Sequence, residues 1–254
     1  MRPLIAACCV ALALPAFVQA AGGPVAEAAK RTASAKSLTF QMSITTAVPG
    51  QGKTTLTGSG ARRGTSVKMS MRTRGQAVAF RFDAVLLNEA GGYVMYMRSP
   101  SFQAQLPAGK QWLRVDLSKQ AASLGVDFTS LLSASQSFAP LEQGLVSTTR
   151  IGREQVAGLS TTRYRAVLDV KRAAQAVPAF AKQVAAVERA TGIRFGRIPY
   201  DVWIAGDRRI RRVRFSMPTA AGGARGTAVQ TVTFLAFDTP VTITAPPRAQ
   251  VFSP

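Results

Sequence analysis

From Leu38 to Thr45 apolar and polar residues alternate, which puts Leu38, Phe40, Met42 and Ile44 on one face of a strand that Val48-Pro49-Gly50 ends. Thr54 to Ser59 is a β-prone partner across a short loop, Val67 to Arg72 alternates again, and Ala77 to Leu87, Tyr93 to Met97, which is apolar on both faces, and Gln111 to Leu117 follow as further strands. Asn88-Glu89-Ala90-Gly91-Gly92 supplies a hairpin connection, so the first half of the chain predicts an antiparallel meander.

Between Leu117 and Leu145 the spacing changes. Leu124, Phe128, Leu131, Leu132, Phe138 and Leu141 recur at mixed helical intervals among Ser and Ala, interrupted at Gly125 and Pro140. Two or three short helices lying on the sheet are expected. Strand periodicity returns from Ser147 to Gln155 and from Thr161 to Val170. Pro178 to Ala190 reads as a helix in which Val177, Phe180, Ala181, Val184 and Val187 form one apolar stripe and Gly192 suits the C-terminal cap. Tyr200 to Ala205, Arg209 to Met217 and Ala228 to Phe237 complete the strands, before Pro240, Pro246 and Pro247 extend the tail. Simple alternation puts Arg209, Arg211, Val213 and Phe215 on one face of their strand and Arg208, Ile210, Arg212 and Arg214 on the other. Neither an internal repeat nor a linker is evident. The expected fold is α+β: one domain over residues 21–254, built on a large curved antiparallel sheet of about nine to eleven strands with inserted helices on one side.

The first twenty residues read as a signal peptide. Arg2 opens an apolar run from Leu4 to Val18, and Val18-Gln19-Ala20 offers small or compact residues at a cleavage position. The run is short of the roughly 20 residues a membrane-spanning helix needs. Ile5-Ala6-Ala7-Cys8 is an alternative lipobox, in which Cys8 would be acylated. Export to the periplasm, the cell envelope or the medium follows from either reading.

Charge and chemistry then narrow the function. The 254 residues carry 32 Lys plus Arg against 12 Asp plus Glu, a formal charge of +20. Such a field attracts anionic lipid, wall polymer or nucleic acid, and the leader favours the first two. There is no His, and both Cys precede the expected cleavage point, so neither a His-based triad nor a thiolate nor a Cys/His metal centre is available to the mature chain. Gly50-Gln51-Gly52-Lys53-Thr54-Thr55 resembles the end of a phosphate-binding loop, but Ala47 stands where the motif needs Gly and a β-prone segment follows where it needs a helix. No catalytic residues, no metal and no cofactor are expected. Arg208, Arg209, Arg211 and Arg212 form the densest basic run and are candidates for contact with an anionic membrane surface. No nucleic-acid signature accompanies them, and none of that class is expected as a partner.

What remains is an excess of apolar residues without chemistry. Met42, Met69, Met71, Met95 and Met97 fall on strands, and methionine is a flexible, polarizable liner. They fit an ordinary core or a cavity held open for an apolar ligand. On the second reading the lining comprises Phe40, Met42, Ile44, Met69, Met71, Phe80 and Met95 from strands, and Leu131, Leu132, Phe180, Val184 and Val187 from helices.

Several segments carry a family resemblance. They are Leu38-Thr39-Phe40, Lys110-Gln111-Trp112-Leu113-Arg114-Val115-Asp116-Leu117, Ile151-Gly152-Arg153-Glu154-Gln155-Val156-Ala157-Gly158 with Thr161-Thr162-Arg163-Tyr164, Pro199-Tyr200-Asp201-Val202-Trp203-Ile204 with Arg208-Arg209-Ile210, and the ending Phe237-Asp238-Thr239-Pro240 through Pro247. In this order they resemble the actinobacterial lipoproteins of the LppX and LprG type, relatives of the LolA-like lipoprotein carriers. The resemblance implies a half-barrel sheet over helices enclosing a hydrophobic cavity, and a monomeric carrier of acylated lipid or glycolipid between envelope layers, with an envelope transporter as a possible partner. The runner-up reading is a regulatory binding module of the same fold that senses lipid or lipoprotein and transports nothing, and a third is a basic structural protein on anionic wall polymer, which needs no cavity. Those relatives are tethered through an acylated Cys after the signal, whereas Ala21-Gly22-Gly23 stands here; a diffusible form is expected.

Overall fold

The strand expected at Leu38 to Thr45 is the centre of the molecule. In the computed structural model, residues 23–50, 52–74, 81–89, 92–117, 134–221 and 224–254 are described. Their elements run α1 (Pro24–Ala33), β1 (Ser37–Val48), β2 (Gly52–Arg63), β3 (Ser66–Arg74), β4 (Arg81–Glu89), β5 (Gly92–Arg98), α2 (Pro100–Gln103), β6 (Trp112–Asp116), α3 (Ala134–Gly144), β7 (Leu145–Val156), β8 (Leu159–Asp169), α4 (Val170–Ala176), α5 (Pro178–Thr191), β9 (Arg197–Ala205), β10 (Ile210–Ala221), β11 (Ala224–Phe237) and β12 (Val251–Phe252). The expected leader, residues 1–20, lies outside the described residues, as do Phe80, Leu124, Phe128, Leu131 and Leu132.

The described residues contribute twelve strands, one more than the upper end of the expected range, and all form one sheet in the order β12-β6-β5-β4-β3-β2-β1-β11-β10-β9-β8-β7. The chain starts in the middle, steps outward to β6, crosses to the far edge at β7 and returns strand by strand until β11 lies beside β1. Every pairing is antiparallel except β12 with β6, and the two edges stay unjoined, so the sheet is open.

Helices α1, α3 and α4 lie on one face, chiefly over β7 to β10. Here Val25, Ala28 and Ala29 of α1 and Phe138 and Leu141 of α3 meet Ala166, Val202, Ile210, Val213 and Phe234 of the sheet. Sequence reading missed α1, although Pro24 sits in its first turn and Val25, Ala28, Ala29 and Thr32 follow a helical spacing. Its core residues are mostly alanines, which give a faint apolar signal.

Two local expectations are corrected. Helix α3 runs through Pro140 instead of breaking there. Proline costs an interior turn about 3 kcal/mol, and burial of Phe138, Pro140 and Leu141 on the sheet offsets it. The alternation expected from Arg208 to Arg214 also fails, because a bulge inserts Arg211: Ile210 pairs with Ile204 and Arg212 with Trp203. Ile210 therefore joins Val213 in the core, while Arg212 turns to the opposite face.

The tail does more than extend. Asp238 N–H donates to the Ser37 carbonyl at 2.9 Å and the Asp238 carboxylate accepts from Lys36 N–H at 2.8 Å, which anchors the start of the tail beside β1. Ile243 and Val251 then cover Val85, Val94, Tyr96 and Trp112 on the face away from the helices, and β12 adds to the edge of β6.

Candidate functional site: the apolar inner face of β1 to β6

Cross-strand register collects the predicted strand residues on the helix-bearing, or inner, face. One row runs Phe234, Phe40, Gly60, Met69, Ala84, Met97 and Leu113 from β11 to β6. The next runs Val232, Met42, Gly58, Met71 and Phe82. A third, on the opposite side of the Phe40 row, runs Leu38, Arg62, Val67, Leu86, Met95 and Val115. Ile44 sits beside Leu56 on the same face. Phe40, Met42, Ile44, Met69, Met71 and Met95 thus all belong to one surface, and all are half-buried. The strand period marked the apolar side of β1 and β3, and the register between strands brought those sides and Met95 together.

Two glycines shape that surface. A Cβ at Gly60 would lie 2.5 Å from the Phe40 ring and 2.6 Å from the Lys68 carbonyl, and one at Gly58 would lie 3.0 and 3.2 Å from Cγ of Met71 and Met42. The ring and the thioethers therefore lie down over glycine backbone instead of standing on a side chain. Methionine packs adaptably and can follow the shape of whatever rests on it.

At one end of this face the Arg62 guanidinium is buried. It donates to the carbonyls of Ala35 (2.8 Å) and Gly64 (3.2 Å), and its Nε has no partner. Desolvation holds its pKa below the ordinary arginine value, only partly countered by Asp238. Under the helices, burial pushes the Tyr200 phenol up to about 12, with its ring 4.7 Å from Phe215.

The helical residues named from the sequence stand apart from the strand set. Phe180 and Val184 are half-buried on α5, which packs chiefly on α4. Val187 lies on the same helix, with its side chain outside the described residues, and Leu131 and Leu132 fall in an undescribed segment. Gly192 does cap α5, in the left-handed region at φ 66°.

The four arginines proposed for an anionic surface part company. Arg208 is exposed in a turn at φ 59°. Arg209 pairs with Asp238 at 2.6 Å and Arg211 with Asp207 at 2.7 Å, and both guanidinium groups stack on Phe237 at 5.1 and 4.7 Å. Arg212 lies over Trp203 at 5.6 Å and donates to Thr233. Among the described residues no group of three or more His, Cys, Asp or Glu is arranged to hold a metal ion, and no helix is long and apolar enough to cross a membrane.

The fold has a known counterpart. LprF from Mycobacterium bovis superposes with a TM-score of 0.50 at 16% identity, over 88% of this chain and 95% of that one. The chain shares its fold with LprF. The lipoprotein LppX of Mycobacterium tuberculosis gives 0.46 at 15% identity, over 87% and 96% of the two chains. At such identity the likeness is one of fold and carries no residue roles. The expected fold class, α+β with a large antiparallel sheet carrying helices on one side, is borne out, and it is the fold of LprF. No protein-family model matches the sequence, and no curated protein matches it.

Proposed function

We propose that the protein is an exported carrier that holds the acyl chains of a lipid or glycolipid against the inner face of β1 to β6. The observation that carries this reading is the alignment of Met42, Met69, Met71, Met95 and Met97 on one half-buried surface that continues from Phe40, which packs at the margin of the helix-covered core, towards strands on which α1, α3 and α4 do not pack. Each methylene removed from water there contributes about 0.8 kcal/mol, so a chain of about 16 carbons gains on the order of 10 kcal/mol before ordering costs. Release then requires an equally apolar acceptor. The positive charge of the chain draws it to an anionic leaflet, each nearby basic residue adding about 1 kcal/mol, and Arg208 is the member of the basic run most open to such contact.

The test is displacement of a fluorescent fatty acid from the purified protein, compared between wild type and Met42→Asp and Met71→Asp. Either carboxylate should weaken probe binding by about tenfold or more, since it must desolvate beneath the chain, while circular dichroism stays unchanged. Equal binding by both folded variants removes the inner face as the site. Native mass spectrometry of protein taken from its host then identifies what it carries.

A further inference from the structure

The face away from the helices divides into two parts. Its apolar part is covered by Ile243 and Val251. The rest is polar and open, and it holds two adjoining depressions of about 650 and about 600 Å3 that meet at Ser43 and Thr231. We propose that this trough is a second ligand site, for an anionic polysaccharide strand.

Register gives the trough its order. One row crosses it as Arg72, Thr57, Ser43, Thr231 and Arg214, on β3, β2, β1, β11 and β10. Three hydroxyls therefore lie between two arginines, and the ends are four strand spacings apart, roughly 19 Å at about 4.8 Å each. Within the described structure the hydroxyls of Ser43 and Thr231 make no hydrogen bond, and Lys53, Arg72 and Arg214 form no ion pair. The one acid in the lining, Glu154, is already engaged: Trp203 Nε1 donates to it at 2.7 Å and Arg163 at 2.8 Å. The Thr57 hydroxyl donates to the Arg72 carbonyl at 3.5 Å, and Asp201, the cross-strand neighbour of Arg214, is held by Arg163 and Arg165. The trough is thus a polar strip with free hydroxyls at Ser43 and Thr231 and an arginine outside any ion pair at each end.

That chemistry selects among polymers. A hydroxyl both donates and accepts, which matches a sugar ring edge to edge, and guanidinium forks match carboxylate or phosphate groups. Single-stranded nucleic acid would need an aromatic platform, but Trp203 is 4% exposed and lies beneath Arg163 and Arg212. A peptide strand adds to a sheet edge, whereas this is the middle of a face whose backbone groups are paired on both sides. The apolar inner face lies on the opposite side of the sheet, so the glycan is a free or wall-bound polymer and not the headgroup of a lipid held there.

Calorimetric titration of the full chain with tetragalacturonate tests this, with maltotetraose as the uncharged control and tetraglutamate as the control without hydroxyls. Tetragalacturonate should bind at least about tenfold more tightly than either control, and Arg72→Gln and Arg214→Gln should each weaken it by about tenfold, one charge-assisted pair each. Thr231→Val, with Ser43→Ala as a second variant should the first not fold, should weaken it several-fold. Tetraglutamate binding as tightly as tetragalacturonate, binding indifferent to the hydroxyl variants, or no binding of tetragalacturonate overturns the proposal. A fluorescent fatty acid bound at the same time should be neither displaced by tetragalacturonate nor affected by Arg72→Gln, so this site and the acyl site stand or fall separately; displacement would overturn the assignment to opposite faces.

Discussion

The hydroxyl of Thr32 ties helix to sheet: it accepts the Ile210 N–H at 2.9 Å and donates to the Ala28 carbonyl at 2.7 Å, with both residues fully buried. Ile210 begins β10 beside the Arg211 bulge, where the ladder to β9 slips. A buried N–H at such a slip needs an acceptor from elsewhere, and α1 supplies it. Thr32→Val keeps the branched shape but strands that N–H, so stability should fall by about 1–3 kcal/mol in urea unfolding. Thr32→Ser should retain most of it. A wild-type midpoint for Thr32→Val would mean that the bond contributes nothing net.

Phe40 and Gly60 form a similar pair across β1 and β2. Gly60→Ala should destabilise by about 1–3 kcal/mol through overpacking. Adding Phe40→Leu should restore only part, because the Lys68 carbonyl also crowds the new methyl. Full recovery in the double variant, read from denaturant midpoints, would assign the whole clash to the ring.

Asp83 supplies a pH dependence. Burial alone pushes its carboxyl up, but the Ser70 hydroxyl and Arg98 outweigh burial and hold it below the ordinary aspartate value. Arg98 donates twice to one oxygen, at 2.8 and 3.1 Å, with its guanidinium 4.8 Å from the Trp112 ring centroid. A depressed folded-state pKa contributes stability above the unfolded value of about 3.9 and loses it as pH falls through the folded one. Asp83→Asn should therefore cost roughly 1.5–3 kcal/mol at pH 7. Thermal melts of the two proteins should converge as acid titrates the wild type below about pH 4. A constant difference down to pH 2 would assign the loss to packing instead.

Ile243 is the apolar contact of the tail with Val85, Val94, Tyr96 and Trp112. Ile243→Asp should cost about 2–4 kcal/mol and open water to Trp112. In a Trp203→Phe background the emission of Trp112 should then shift to longer wavelength. An unshifted spectrum would show that the tail does not shield the indole.

That Phe40, Met42, Ile44, Met69 and Met71 share faces of their strands was legible in the sequence, because each falls on the apolar phase of a two-residue period; the side taken by Met95 was not, because Tyr93 to Met97 is apolar on both faces. The helical half of the inner site was not legible either, because an amphipathic stripe such as Phe180 and Val184 shows that a helix needs a neighbour without saying which one; here α5 lies mainly on α4. Arg209 and Arg211 show the same limit for charge, since their carboxylate partners and Phe237 come from a turn and from the far end of β11.

Local alternation by itself determined which residues share a side in strands without a bulge, and where most strands begin and end, since side-chain direction there depends only on residues two apart. Tertiary structure decided everything that depends on register. It set Met42 against Gly58 and Val232, turned Ile210 and Arg212 to opposite faces through one inserted residue, and brought Arg72 and Arg214 to the two ends of one row of hydroxyls. Those choices follow from how whole faces fit against helices and tail, an energy shared among segments far apart in the chain and therefore absent from any one of them.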